Sequence, residues 1–291
     1  MKNTLITGDT GFIGSALVKA LVNKNRVFGI SRSEPSFSHK NYFHIIADIL
    51  DPNLETTIKR MPLDVVYHMA GNPLVRDNSS DILRTNVEGT DRLLRCLDDV
   101  KFLFASSATV YGNYSPSDHS RIELDRLAPS SHYAVSKVMA EDLVRFYDRS
   151  SSVNAVIIRY VAHAGPQSTH GVIHDFVKKL KDPQEEFLEI LGSTPGSIKP
   201  YIHIDDSVNK TIYLAENREG IWNLSPPDNI SVDGVADSVM EGIGISKEKK
   251  WLGRSSTWEG DNPYVSLRCR LNGIRDSRQA IIDVACQIKE L

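Results

Sequence analysis

Short runs of apolar, β-branched residues recur through the first 165 positions, each followed by a stretch whose apolar residues fall three and four apart. The first kind fits strands buried on both faces and the second fits helices packed against them. NTLITG (3–8), RVFGIS (26–31), YFHIIAD (42–48), DVVYHMA (64–70), VKFLFASS (100–107) and NAVIIRY (154–160) predict six strands. SALVKALVNK (15–24), residues 81–98 and SHYAVSKVMAEDLVRFYDR (131–149) predict helices between them. Strand and helix in alternation imply parallel strands joined by helical crossovers, an α/β protein.

After AGPQ at 164–167 the alternation stops, and shorter elements with prolines and glycines take over. KPYIHIDDSVNKTIYLAE predicts a strand and helix that return to the first part. The expected organisation is therefore one domain from residues 1–165 and 199–220, and a smaller discontinuous one from 166–198 and 221–291. No repeat or low-complexity linker separates them, and a cleft between them is the expected substrate site.

Composition narrows the class of partner. Net charge is −3 over 291 residues, and the short basic run SKEKK at 246–250 cannot track a phosphate backbone. No nucleic-acid partner is expected. No apolar run approaches the roughly 18 residues of a membrane span and no leader-like segment opens the chain, so no membrane association and a cytoplasmic location are expected. Cys96, Cys269 and Cys286 are far apart and fit structural thiols better than nucleophiles or ligands. His163, His170 and His174 come with no Cys or HExxH partner, so no metal is expected.

TGDTGFIGS spaces Gly8, Gly11 and Gly14 between the first strand and first helix. Gly8 permits the tight turn, Gly11 lets backbone N–H groups approach a diphosphate, and Gly14 lets the helix sit close to the strand. This is a Rossmann-type dinucleotide site with the negative charge at a helix N-terminus. Strand two ends in GISRS, placing Ser31 and Arg32 where an Asp would take the 2′-OH of NAD. NADP is therefore preferred over NAD. Asp48, ending strand three, is placed for the adenine edge or, alternatively, as a helix cap.

HYAVSK sets Tyr133 and Lys137 four apart, on one face of a helix. A nearby ammonium favours phenolate and would bring a phenol of pKa about 10 towards neutral pH. On an ordinary surface helix the pair would be structural, but the serines ending strand five open on the same crevice. Taken with TGDTGFIGS, YHMAG, TNVEGT, SSATVYG, IIRY, GPQ and YIHIDD in order, the chain resembles the extended short-chain dehydrogenase/reductase family. Those are NAD(P)-dependent nucleotide-sugar epimerases, dehydratases and reductases. The resemblance implies a Rossmann-type doubly wound parallel sheet with a smaller discontinuous C-terminal substrate domain. It implies Tyr133 as general acid/base, Lys137 as its electrostatic partner and contact to the nicotinamide ribose, and Ser107 hydrogen-bonded to the reacting oxygen. It places Ser106 towards the cofactor and has Asn86 hold the active-site backbone. It extends the cofactor set to Phe12, Ile13, Ile49, Met69, Ala70, Gly71 and Tyr160, and the substrate set to Asn72 and Lys199, with His163 either a substrate contact or a buried, satisfied histidine.

Dehydratases of this family carry acids after the residue matching Ser107; here stand Ala108 and Thr109. Elimination of water needs a proton donor and a base that these side chains cannot supply. Hydride chemistry at one carbon remains, as a 4-epimerase or 4-ketoreductase acting on a nucleotide-activated sugar. Ala162 stands where many relatives have a nucleotide-binding Asn, and Lys199 near a diphosphate-gripping Arg, without its bidentate fork. A reductase of a small non-nucleotide carbonyl compound and a non-catalytic NADP sensor are the alternatives. The family suggests a homodimer through the helices at 81–98 and 132–149, with Leu93, Leu94, Leu97, Leu143, Val144 and Phe146 as candidates; the same residues could instead cover the sheet.

Overall fold

In the computed structural model, residues 1–73, 80–112, 119–150, 153–168, 171–253 and 267–290 are described. His170 lies outside them. In chain order the elements are β1 (Lys2–Thr7), α1 (Phe12–Leu21), β2 (Asn25–Ser31), β3 (Tyr42–Ile46), α2 (Pro52–Lys59), β4 (Val65–His68) and α3 (Ser80–Leu83). A π-turn over Arg84–Glu88 runs into α4 (Gly89–Leu94). Then come β5 (Val100–Ser107), a 3₁₀ turn over Ala108–Tyr111, α5 (His132–Arg149) and β6 (Val153–Tyr160). The rest comprises β7 (Ala162–Ala164), α6 (Val172–Lys181), β8 (Leu188–Ile190), β9 (Ile198–Lys199), β10 (Tyr201–His203), α7 (Ile204–Asn217), β11 (Gly220–Leu224), β12 (Ile230–Ser231), α8 (Val232–Ile243), β13 (Lys249–Trp251) and α9 (Ser277–Glu290).

The chain divides into two compact units. The first comprises Met1–Tyr111, Arg126–Tyr160 and Val208–Trp222. Its sheet has the order β11-β6-β5-β4-β1-β2-β3, and β1 to β6 pair in parallel. This is the doubly wound order, with β11 added at one edge; the order reverses between β1 and β4, where such sheets bind ligands. The apolar runs supply its core: Leu5, Val66, Phe102, Phe104 and Ile157 are buried among Leu93, Leu94, Val100 and Val144. Fully burying such side chains contributes about 1.5–3 kcal/mol each.

The second unit comprises Gly112–Asp125, Val161–Ser207 and Asn223–Leu291. It has its own core, in which Phe176, Leu188, Tyr201, Val235, Val239, Ile281 and Val284 are buried. A Cβ on Gly242 would lie 2.7 Å from the Ala285 Cβ, so a glycine there lets α8 and α9 approach closely. Ser231 caps α8 by accepting from the Gly234 N–H at 3.1 Å, and Gly244, at φ +69°, ends it.

Two expectations change. The strand of YIHIDD does not return to the large sheet: β10 pairs with β7, Ile202 opposite His163, so residues 199–207 lie in the second unit. Chain continuity explains this, because β7 leaves β6 after one residue and carries its pairing surface into the second unit. Of the residues considered for a helix-pair interface, Leu93, Leu94, Leu97 and Val144 are buried in the first core and Leu143 packs against it; Phe146 is exposed. The sheet-facing side of each helix takes the larger apolar set.

Candidate active site

The glycine turn is built as its spacing predicts. Gly8 has φ +71°, and a Cβ there would lie 2.8 Å from the Ala70 backbone nitrogen, so the loops after β1 and β4 abut. A Cβ on Gly14 would fall 2.1 Å from the Gly8 carbonyl oxygen, so only glycine fits. Gly11 is the N-cap of α1 and offers no side-chain acceptor to the first-turn N–H groups that Phe12 and Ile13 begin. A bare backbone cradle at a helix N-terminus fits the diphosphate of a dinucleotide.

At the end of β2, Ser31 accepts a hydrogen bond from the Thr10 hydroxyl at 2.9 Å and donates to the Ser33 carbonyl at 3.2 Å; Arg32 is exposed beside it. Asp48 accepts from the Leu50 N–H at 2.9 Å in a local turn, while Asp51 caps α2. Ile49 is buried in the core, with Gly89 lying against it. Met69 donates its N–H to the Thr7 carbonyl at 3.1 Å, and Ala70 to the Thr7 hydroxyl at 3.2 Å.

The three residues expected to be catalytic come together at the ends of β5 and α5. Ser131 caps α5 by accepting from the Ala134 N–H at 3.1 Å, which fixes the first turn carrying Tyr133. Tyr133 faces Ser107, whose Oγ accepts from the Thr109 hydroxyl at 3.0 Å. Lys137 is buried; its Nζ donates to the Ala105 carbonyl at 2.8 Å and lies 5.0 Å from the Phe104 ring centroid and 5.8 Å from that of Tyr133.

The electrostatics differ from expectation at the phenol. Burial raises the Tyr133 pKa, and the neighbouring Ser107 hydroxyl opposes that rise without reversing it. Desolvation at Tyr133 outweighs the lowering expected from Lys137. Lys137 itself is pushed down to about 8 by burial, with Glu141 pulling the other way. Tyr133 is therefore held in its protonated form, next to an ammonium whose pKa is lowered to about 8.

Asn86 sits in the π-turn, a feature frequent at functional sites. Its Oδ1 accepts from the Asn72 N–H at 2.7 Å; its Nδ2 donates to the Asn72 carbonyl at 3.2 Å and to Ser136 Oγ at 2.9 Å. Ser136 in turn donates to the Tyr133 carbonyl at 2.7 Å, so Asn86 braces both the β4 loop and the start of α5. A Cβ on Gly71 would lie 2.9 Å from Asn86 Oδ1. His68 lies beneath, between the hydroxyls of Thr7 (2.7 Å) and Thr90 (2.9 Å), and burial lowers its pKa to about 3. Thr90 donates onward to the Asn86 carbonyl at 2.7 Å.

Other expected residues are placed as follows. Ser106 is buried and donates to Glu141. Tyr160, also buried, is hydrogen-bonded to the Thr211 hydroxyl at 2.8 Å. In the second unit His163 is 2.8 Å from the Ser207 hydroxyl and burial lowers its pKa to about 4; the Lys199 ammonium lies 5.3 Å from the Tyr201 ring centroid. Sequence reasoning missed His68, Thr90, Ser136 and Glu141. Glu141 alone left a trace, a carboxylate four residues beyond Lys137.

The family model for NAD dependent epimerases and dehydratases matches residues 4–225. The chain belongs to this family, the extended short-chain dehydrogenase/reductase type. Among its relatives is the ADP-L-glycero-D-manno-heptose-6-epimerase of Brachyspira hyodysenteriae, 27% identical over 290 residues, spanning 92% of this chain and 86% of that protein. The crystal structure of a UDP-galactose 4-epimerase is 26% identical, with a TM-score of 0.82 and 99% of each chain covered. A Bacillus cereus UDP-glucuronic acid 4-epimerase variant, solved with a fluorinated UDP-sugar and NAD, shares the fold at 24% identity and a TM-score of 0.82, over 98% of this chain and 99% of that one. Among the described residues, no helix is long and apolar enough to cross a membrane.

Proposed function

We propose that the protein is a cytoplasmic nucleotide-sugar 4-epimerase, or the one-way 4-ketoreductase variant of the same chemistry. The observation that carries this reading is the contiguous set Ser107, Tyr133 and Lys137 beside Ala108 and Thr109. Tyr133 exchanges a proton with the carbinol oxygen, Ser107 donates a hydrogen bond to that oxygen, and the Lys137 ammonium offsets charge on the phenolate. A nicotinamide cofactor, when bound, supplies the hydride chemistry; the Gly8–Gly14 turn suits its diphosphate. Elimination of a hydroxyl needs an acid aimed at the leaving oxygen, and Ala108 has no proton to give. The nucleotide-sugar epimerases among the relatives and structural neighbours support the substrate class.

The proposed cofactor preference is NADP over NAD, because no carboxylate ends β2 and the exposed Arg32 can meet a 2′-phosphate. The proposed substrate contacts are Asn72, Ser107, His163 and Lys199. A homodimer through the outer face of α5 is the proposed assembly, supported by Val135, Met139 and Phe146, which remain exposed there.

A thermal-shift panel of NAD, NADP and UDP-, ADP-, dTDP- and GDP-sugars, followed by turnover of the binders, tests the reading. Stabilisation follows ligand concentration over Kd. Interconversion of 4-epimers, or NAD(P)H-dependent loss of a 4-keto sugar, is expected. Release of water, or binding of a cofactor but no sugar nucleotide, overturns it. Arg32→Asp is expected to raise the Kd for NADP selectively, and an unchanged ratio removes the NADP assignment.

A further inference from the structure

Three consecutive residues of β5 each meet one residue of a single face of α5. The Ala105 carbonyl accepts from Lys137, Ser106 donates to Glu141, and Ser107 faces Tyr133. Tyr133, Lys137 and Glu141 stand four apart on the helix, but the family reading uses only the first two. Glu141 is fully buried, and a buried carboxylate needs a countercharge. Arg159, on β6 and itself buried, supplies it twice: Nε to Oε1 at 3.0 Å and Nη2 to Oε2 at 2.7 Å. Its remaining Nη1 donates to the Tyr111 hydroxyl at 2.8 Å, and the guanidinium lies 4.9 Å from the Tyr111 ring centroid. Tyr111 ends the 3₁₀ turn that carries Ala108 and Thr109 directly after Ser107.

We propose that Glu141 and Arg159 are a positioning pair for the reaction: together they clamp the Ser107-bearing turn to α5, and Glu141 offsets the positive charge that Arg159 would otherwise present to Lys137. Neither residue touches substrate. The inference deepens the assignment of Tyr133 and Lys137 as the proton-handling pair and rests on it. Lys137 faces Tyr133 and Glu141 from its own helix and His68 from β4, with Arg159 behind Glu141 on β6. His68 is held neutral, so Glu141 and Arg159 are the charged members of that set. The Lys137 ammonium is already pushed down to about 8, where a small change in nearby charge alters its occupancy at working pH.

The test compares wild type, E141Q, R159M and the double variant E141Q/R159M. Removing only the carboxylate leaves a buried guanidinium facing Lys137; removing only the guanidinium leaves an unbalanced carboxylate; removing both restores neutrality. The Lys137 titration is read by NMR of protein carrying ¹³Cε-lysine, its resonance assigned with Lys137→Met, and the alkaline limb of kcat is read in parallel. Expected midpoints rise in the order E141Q, then wild type and the double variant together, then R159M, with steps of about one pH unit. A purely structural pair would lower turnover without producing this order, and four coincident midpoints overturn the proposal. Should E141Q fold poorly, the upward displacement in R159M carries the test, and its absence overturns the proposal equally. The NMR midpoint uses no substrate, so loss of the clamp and failure of the epimerase reading are separately visible.

Discussion

The two units hold their candidate residues very differently. In the first, Tyr133 and Lys137 on α5 both meet β5, whose last residue is Ser107, and Asn86 and Glu141 brace the elements that bear them. In the second, His163 rests on the Ser207 hydroxyl and Lys199 lies over a tyrosine ring at the end of a two-residue strand. The contrast matches the demands of the two jobs. Proton transfer tolerates little misplacement, so its groups sit on rigid elements with supporting hydrogen bonds. Gripping a diphosphate needs charge at the right distance and accepts a flexible ammonium. On the proposed reading, the chemistry of this protein lies in the first unit and its recognition of substrate draws on the second.

The largest effect that sharpens this contrast is expected at Tyr133. Tyr133→Phe keeps the ring and removes the proton donor, and kcat should fall about 10²- to 10⁴-fold with the far-UV spectrum unchanged. Retained turnover would move the acid/base role elsewhere. Asn86→Ala comes next. It strips the Asn72 backbone and Ser136 of their partners, and each buried group left unpaired costs roughly 1–3 kcal/mol. A lower melting temperature together with a lower kcat is expected; a kcat unchanged at permissive temperature would show that Asn86 braces the fold without positioning Tyr133.

How much of this was legible in the sequence follows from distance along the chain. Gly8, Gly11 and Gly14 announce a turn because their constraint is local, and Tyr133 with Lys137 announce a helix face through a four-residue spacing. Glu141 and Arg159 meet across 18 positions, one on a helix and the other on the next strand, so nothing local marks them as a pair. The π-turn was invisible for a related reason: residues 81–98 carry an ordinary helical pattern, and only the inward Asn86 and the Thr90 bond to its carbonyl reveal the bulge. The shift of β10 into the second unit depends on its pairing with β7, which three-residue strands cannot signal by pattern.

Acid titration separates the units by stability. His68 in the first unit and His163 in the second have folded pKa values of about 3 and about 4, below the usual 6.5. Between those values and 6.5 the unfolded chain binds more protons, so stability is full above about pH 6.5 and is lost as pH falls through the window. His163→Gln should flatten the part of that loss between pH 6.5 and 4 and leave the His68 part intact. Chemical denaturation at pH 7, 5.5 and 4.5 reads this directly, and identical slopes for wild type and variant would place the acid sensitivity at groups other than His163.

The smallest expected effect falls on Lys199, and it bears most directly on the substrate. Its register opposite Ile230 fixes the backbone, and its ammonium, over the Tyr201 ring, is a point charge. If that charge meets a diphosphate, Lys199→Ala should raise KM for the nucleotide sugar about tenfold, equivalent to roughly 1.4 kcal/mol, while kcat stays put. Lys199→Arg sharpens the question, because a guanidinium can bind two phosphate oxygens where an ammonium binds one; KM should fall below wild type. A small non-nucleotide carbonyl compound has no phosphate to lose, so its KM would ignore both changes. Unchanged KM in both variants would therefore erase the contrast between the units at its recognition end, leaving a first unit competent in hydride chemistry and a second that recognises something other than a diphosphate.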